Sequence, residues 1–365
     1  VKGNIITRTV FFRLVLLATG LLIVSKSASG GGLKFFKSSD PHFQYTGRID
    51  FSNLQLPRFW APAVYVKIGF TGANCEIVVN DEVLYGKSHN YISVVIDDMP
   101  AKRIKLTGKV NRIKVAENLG GKHHTMLLCK STESNIGYIE FAGIYCGGLW
   151  HLPKEPSRKI EFIGNSITCG TGSDTSGYKC GNGEWYDQHN AYMSYGPVTA
   201  RALDARWQLT AFSGIGLMKS CCEIKVVMPD IFDKINLLDN KLVWDFKKFQ
   251  PDVVTVCLGQ NDGVQDSAVF CSEYLKFIHR LRAYYPSSTI ICLSSPMADT
   301  QLFEVQKEYL LSISAAASRQ GDRAVYSYFF SKRYHNGCGD HPSLSEHQQI
   351  AEELALFIKK VKHWE

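Results

Sequence analysis

The chain has 365 residues, 45% hydrophobic, 12% aromatic and 21% charged. That mixture can bury cores for two ordinary domains and excludes a disordered or fibrous chain. The formal charge of +7 is weighted to the start: residues 1–30 hold Lys2, Arg8, Arg13 and Lys26 and no acid, so the remainder carries +3, which is too mild to point to nucleic acid.

In chain order, Arg8 and Arg13 precede the apolar run Leu14 to Val24, and Ser27, Ala28, Ser29 and Gly30 follow. A basic start, a short apolar stretch and small residues form the pattern of a secretory signal peptide. The run is short for a bilayer span. The expectation is cleavage near Ala28 to Gly30 and a secreted or periplasmic protein without stable membrane insertion. A retained anchor or a buried helix are the alternatives.

Residues 31–152 read as an all-β unit. Short runs such as 63–70, 75–79, 91–96 and 124–129 alternate apolar and polar residues and are separated by Gly, Asn and Asp turns. No long helical period appears between them. Many short strands with regular turns predict a β-sandwich, jelly-roll-like. Trp60 is a core anchor or a contact at the boundary. The segment 151–157, with Pro153 and Pro156, reads as a linker.

From residue 153 to 365 strands alternate with helices. Strands are predicted at 159–163, 208–212, 252–258, 289–293 and 324–329. Helices are predicted at 192–203, 267–285, 301–319 and 345–362. This order implies an α/β fold, a parallel sheet covered on both faces. Trp207 and Trp244 read as core, as do Cys257 and Cys292 inside apolar strands.

In such sheets reactive groups gather at the carboxyl ends of the strands. Three of the predicted strands lead into Gly164-Asn165-Ser166-Ile167-Thr168, Ser213-Gly214-Ile215-Gly216 and Gly259-Gln260-Asn261-Asp262. The segment Gly337-Cys338-Gly339-Asp340-His341-Pro342 stands before the last helix, whose start is marked by the capping pair Ser343 and Glu346. These residue types suit acyl transfer. A serine hydroxyl needs a base, and histidine is suited to that task. The backbone N–H groups of Ser166 and Gly214 and the Asn261 amide could form an oxyanion hole. Ser166 is then the nucleophile and His341 the base. Asp262 reads as a cap or loop acceptor, and His335 and His347 as surface residues.

Eleven cysteines favour an oxidising compartment. Cys169 and Cys180 flank a Gly/Ser-rich loop and are candidates to pair, although sequence does not fix connectivity. Adjacent Cys221 and Cys222 seldom make a simple bridge. Zinc-type spacings such as C-x-x-C are missing, so no metal is expected. Trp185 and Tyr186, in the insertion 172–190, either wall the cleft for sugar rings or pack the loop.

The Gly164–Thr168 block, with Ser166, Gly214, Asn261 and His341 in that chain order, resembles the SGNH/GDSL hydrolases. Leu258-Gly259-Gln260-Asn261-Asp262, Ser194-Tyr195-Gly196 with Ala200-Arg201, and Gly337-Cys338 before His341-Pro342 narrow the resemblance to carbohydrate esterase family 2 (acetyl xylan esterase-like). The resemblance implies a jelly-roll domain joined to a three-layer SGNH domain. It also implies a cofactor-free esterase that removes acetyl groups from xylan or glucomannan. Its partner is the acetylated polysaccharide or oligosaccharide, and a monomer is expected. Many SGNH enzymes place an Asp three residues before the His. Here that position is Cys338. The adjacent Asp340 is a candidate third catalytic member, but neighbouring side chains in extended chain point apart, so a Ser–His dyad aided by a backbone carbonyl is the leading expectation. Two alternatives stay open: an esterase for lipids or small acyl esters on the same scaffold, and a carbohydrate-binding protein with an idle SGNH domain.

Overall fold

Along Cys75–Asp81 buried residues alternate with half-buried ones, which is the period of a strand with one face on a core. The computed structural model describes residues 1–3, 32–238 and 241–365. The signal-peptide reading therefore falls almost wholly outside the described residues. Leu33–Glu365 form one compact unit.

Its first part is a sandwich of two antiparallel sheets, six strands each among the described residues. One sheet centres on Ile139–Cys146, paired with Cys75–Asp81. The other centres on His123–Lys130, between Tyr65–Thr71 and Tyr91–Ile96. Phe59, Val66, Ile68, Phe70, Ile77 and Phe141 fill the space between them.

The second part is a five-stranded parallel sheet of β1 (Lys159–Gly164), β2 (Arg206–Ala211), β3 (Val253–Cys257), β4 (Thr289–Leu293) and β5 (Val325–Tyr328). Its spatial order is β2-β1-β3-β4-β5. The strands β3 and β4 are buried at every position, as both-face coverage requires. The helices are α1 (Ser166–Cys169), α2 (Tyr195–Ala202), α3 (Ser267–Tyr284), α4 (Thr300–Arg319) and α5 (Leu344–Lys362). Residues of α3 and α4 pack one side of the sheet, and those of α2 and α5 pack the other. The strand order reverses at β1, and the cleft beyond the carboxyl ends at such a reversal is where ligands bind.

α2 starts at Tyr195, later than the predicted 192, because Ala191–Met193 form a 3-10 turn. Pro197 sits in its first turn, where a missing N–H costs nothing.

The two parts share one core. Tyr65 packs on Trp207 at 4.2 Å between ring centroids, and Trp207 Nε1 donates to the Ala63 carbonyl at 3.0 Å. Arg48 Nη2 reaches Glu161 of β1 at 2.9 Å, and both are fully buried. Glu161 also accepts from Gln208 and Thr210. Trp60 stays within the sandwich against Tyr138.

Candidate active site

The turn after β1 is shaped by its own residues. A Cβ at Gly164 would stand 2.1 Å from Thr168 Oγ1, so glycine lets the chain fold back on the strand. Asn165 caps α1 by accepting the Ile167 N–H at 3.1 Å. Thr168 Oγ1 bonds the Tyr195 hydroxyl at 2.9 Å. Ser166 is thus held at the first position of α1 with 8% of its surface exposed.

His341 comes from 175 residues further on, and its Nε2 lies 2.8 Å from Ser166 Oγ. Its Nδ1 lies 2.9 Å from the Gly339 carbonyl and 3.2 Å from the Cys338 carbonyl. A neutral ring therefore donates from Nδ1 to these carbonyls and keeps the Nε2 lone pair for the serine proton. Burial pushes the His341 pKa below its ordinary value, and the two carbonyls oppose that shift. Asp340 is not brought to the ring. It is exposed, sits at φ +57° in a left-handed turn, and acts on His341 only through space. The turn's local backbone supplies the acceptors that a carboxylate would otherwise provide. Ser343 and Glu346 form the expected reciprocal cap of α5.

The register aligns Gly164 of β1 with Ala211 of β2 and with Cys257 of β3. Ser166, Gly214 and Asn261 therefore all follow the same edge of the sheet. Gly214 has φ +81°, and a Cβ there would stand 2.7 Å from Ile224 Cδ1. Among the described residues the N–H groups of Ser166 and Gly214 have no protein acceptor. Asn261 Nδ2 donates to the Ile215 carbonyl at 2.7 Å, which orients the amide and leaves its second hydrogen. Asp262 accepts from the N–H groups of Leu217, Met218 and Lys219, a loop-fixing role.

Trp185 and Tyr186 separate. Trp185 is half exposed and, with Thr171, Gly183, Cys338 and His341, lines a cavity of about 370 Å³. Tyr186 is buried against Tyr91 and Ile136 of the sandwich, and its hydroxyl accepts the His89 N–H. This corrects its reading as a substrate contact. Adjacent residues of the short turn Trp185–Gln188 point different ways, and the ring that faces the sandwich is the one whose hydroxyl meets the His89 N–H. A larger cleft, about 750 Å³, runs along Lys67, Asp97, Lys154 and Arg201 and includes none of the residues above.

Three further readings need correction. Cys180 bonds Cys338, not Cys169, because the insertion lies over the histidine turn: Cys338 N–H donates to the Gly172 carbonyl at 2.8 Å. Cys169 is a buried thiol facing Glu133. Cys221 and Cys222 are joined as a vicinal pair. His347 is not on the surface but wholly buried, its Nδ1 accepting the Tyr195 N–H at 3.2 Å. Burial, then the nearby His341, push its pKa down to about 3. His335 is exposed, as expected.

Sequence reasoning missed Glu133. This sandwich residue is fully buried, and its carboxylate accepts the Ser213 N–H at 2.8 Å and the Ser213 hydroxyl at 2.5 Å. Burial raises its pKa, and the Ser213 bonds lower it again. No local signal marks it, because its partner lies 80 positions away.

Residues 45–156 match the family described as Carbohydrate esterase 2 N-terminal, and residues 162–341 match the GDSL-like Lipase/Acylhydrolase family. The chain is 31% identical over 335 residues to Cellulase/esterase CelE of Acetivibrio thermocellus, covering 89% of this chain and 40% of that protein's length. It is 27% identical over 338 residues to an Acetylxylan esterase / glucomannan deacetylase of Cellvibrio japonicus, covering 90% of this chain and 91% of that one. Among solved structures, a family two carbohydrate esterase from Clostridium thermocellum in complex with cellohexaose superposes with a TM-score of 0.81 at 30% identity, covering 88% of this chain and all of that one.

Proposed function

This chain belongs to the family two carbohydrate esterases, and from that premise we propose that it removes O-acetyl groups from plant cell-wall polysaccharides, xylan or glucomannan. The observation that carries the reading is the 2.8 Å contact between His341 Nε2 and Ser166 Oγ. An acetylxylan esterase / glucomannan deacetylase matching over nine-tenths of both chains supports the substrate class.

In the proposed reaction Ser166 Oγ attacks the acetyl carbonyl as His341 Nε2 takes its proton. Negative charge on the tetrahedral oxygen is met by the N–H groups of Ser166 and Gly214 and the second hydrogen of the Asn261 amide. The imidazolium is steadied by the carbonyls of Gly339 and Cys338. It then protonates the departing sugar oxygen. Water, deprotonated by the same nitrogen, attacks the acetyl-serine, and as the acyl–Oγ bond breaks and acetate leaves, Nε2 returns the proton to Ser166 Oγ. The ring of Trp185 at the cleft offers a flat apolar face to a sugar.

The same reading assigns residues 31–152 to the sandwich domain and 153–365 to the catalytic domain, acting as a monomer outside the cytoplasm. The Cys180–Cys338 bridge and the basic-then-apolar start support an oxidising compartment.

The test measures acetate release from acetylated xylan and glucomannan. Wild type is expected to release acetate, and Ser166→Ala is expected to lose at least about 10³-fold in kcat. Equal rates in the two proteins would remove the proposal. A rate rising with acyl chain length on synthetic esters would replace the polysaccharide by a lipid substrate.

A further inference from the structure

A buried carboxylate needs a reason. Glu133 lies in the sandwich, yet its side chain reaches the carboxyl edge of the parallel sheet. There its two oxygens collect donors from both chain segments that build the site. Oε2 accepts the Ser213 N–H at 2.8 Å and the Cys169 thiol at 3.7 Å. Oε1 accepts the Ser213 hydroxyl at 2.5 Å and the Thr171 hydroxyl at 3.4 Å. The Thr171 and Ser213 hydroxyls lie 2.9 Å apart, so with the Ser213 hydrogen on Oε1, Thr171 shares its single hydrogen between Ser213 Oγ and Oε1. The Thr171 N–H in turn donates to the Ser166 carbonyl at 3.1 Å.

Among the described residues no lysine or arginine makes a contact ion pair with Glu133, and Lys130 acts on it only through space. Lys130 Nζ, itself buried, spends its hydrogens on the carbonyls of Thr132 and Glu133. His189 Nδ1 stands 3.7 Å from Oε1. A fully buried carboxylate whose hydrogen bonds come from neutral donors is costly compared with an apolar side chain of equal size. Core packing alone does not call for one here. What it does accomplish is geometric. Cys169 ends the helix that begins with Ser166, Thr171 follows it, and Ser213 immediately precedes Gly214. One rigid group therefore sets the distance between the nucleophile's segment and the N–H of Gly214.

We infer that Glu133 is a positioning residue for acyl transfer: the sandwich domain uses it to clamp the Ser213–Gly214 turn against the Ser166 segment and so to aim the Gly214 N–H at the developing oxyanion. The inference rests on the esterase reading above. It makes the sandwich a structural part of the catalytic site, beyond any role in holding glycan.

The experiment compares wild type, Glu133→Ala, Glu133→Gln and Ser213→Ala by steady-state kinetics on an acetyl ester, with thermal unfolding of each. Glu133→Ala is expected to lower kcat about 100-fold, the scale of one lost oxyanion donor, with KM within about threefold. Glutamine can still accept the Ser213 N–H with its oxygen and donate to the Ser213 hydroxyl, so Glu133→Gln is expected to recover most of kcat. If Glu133→Ala does not fold, the decision falls to the other two: kcat reduced at unchanged KM in Ser213→Ala, with kcat and KM close to wild type in Glu133→Gln, supports the clamp. A folded Glu133→Ala with kcat within twofold of wild type overturns it. So does a loss confined to KM in any of the variants. Wild type without esterase activity would instead defeat the functional reading, which keeps the two failures apart.

Discussion

Among the described residues no carboxylate bonds the ring of His341. Its Nδ1 faces two carbonyl oxygens, which orient the ring but stabilise the imidazolium less than a full negative charge does. Burial already holds the His341 pKa below 6.5. The base is therefore neutral and competent at neutral pH, and it loses its lone pair only on acidification. The acid limb of kcat/KM is expected below pH 6.5, and a pH–rate profile on an acetyl ester checks this. Asp340→Ala should leave kcat within about threefold and move that limb little, because Asp340 touches no ring atom. A loss matching that of His341→Ala would return Asp340 to the site. At this scale the short blocks of sequence that hold Ser166, Gly214, Asn261 and His341 pointed to residues that the fold sets along one edge of the sheet, with Ser166 and His341 in contact. The acceptors of Nδ1 were less legible, since a backbone carbonyl has no letter in the sequence.

At the scale of elements, the histidine turn and the insertion 172–190 are joined by the Cys180–Cys338 bridge, 158 positions apart. Closing a loop that long restricts the unfolded chain by about 5 kcal/mol on a chain-entropy estimate. Cys180→Ser should lower the unfolding midpoint by at least about 5 °C. It should also reduce kcat, because the Cys338 carbonyl contacts the catalytic ring. Calorimetry and acetate release on the same sample measure both. Unchanged stability and rate would show that the Cys338–Gly172 hydrogen bond suffices to hold the turn. The helices themselves were plain in the sequence. The Ser343–Glu346 cap and the apolar period of α5 are local properties. The disulfide was not, since several pairings satisfy the same spacing and only the fold brings one pair together.

At the scale of the molecule, the sandwich and the parallel sheet behave as one body because their contact is a core. Arg48 and Glu161 meet there, buried on both sides. Removing the guanidinium leaves Glu161 a buried charge with the neutral donors Gln208 and Thr210 but no counter-ion. Arg48→Ala is expected to destabilise the protein by about 3–5 kcal/mol, measured by denaturant unfolding. The transition should stay single, because Tyr65 and Trp207 still join the two parts. Two separate transitions would show that the parts fold independently. Glu133 crosses the same boundary, so stability and catalysis share this interface.

The sequence by itself determined what depends on near neighbours. Alternation marked the sandwich strands, strand–helix order marked the parallel sheet, and Gly164, Asn165 and Ser343 marked the turns and caps that carry the reactive groups. These are short-range steric and hydrogen-bonding preferences, readable within a few residues. Only the tertiary structure decided what depends on distant partners. It sent Tyr186 and His347 inward, joined Cys180 to Cys338 and set Glu133 behind the Gly214 turn. Each outcome is a contact between residues far apart in sequence, and its energy exists only once the chain has closed around it.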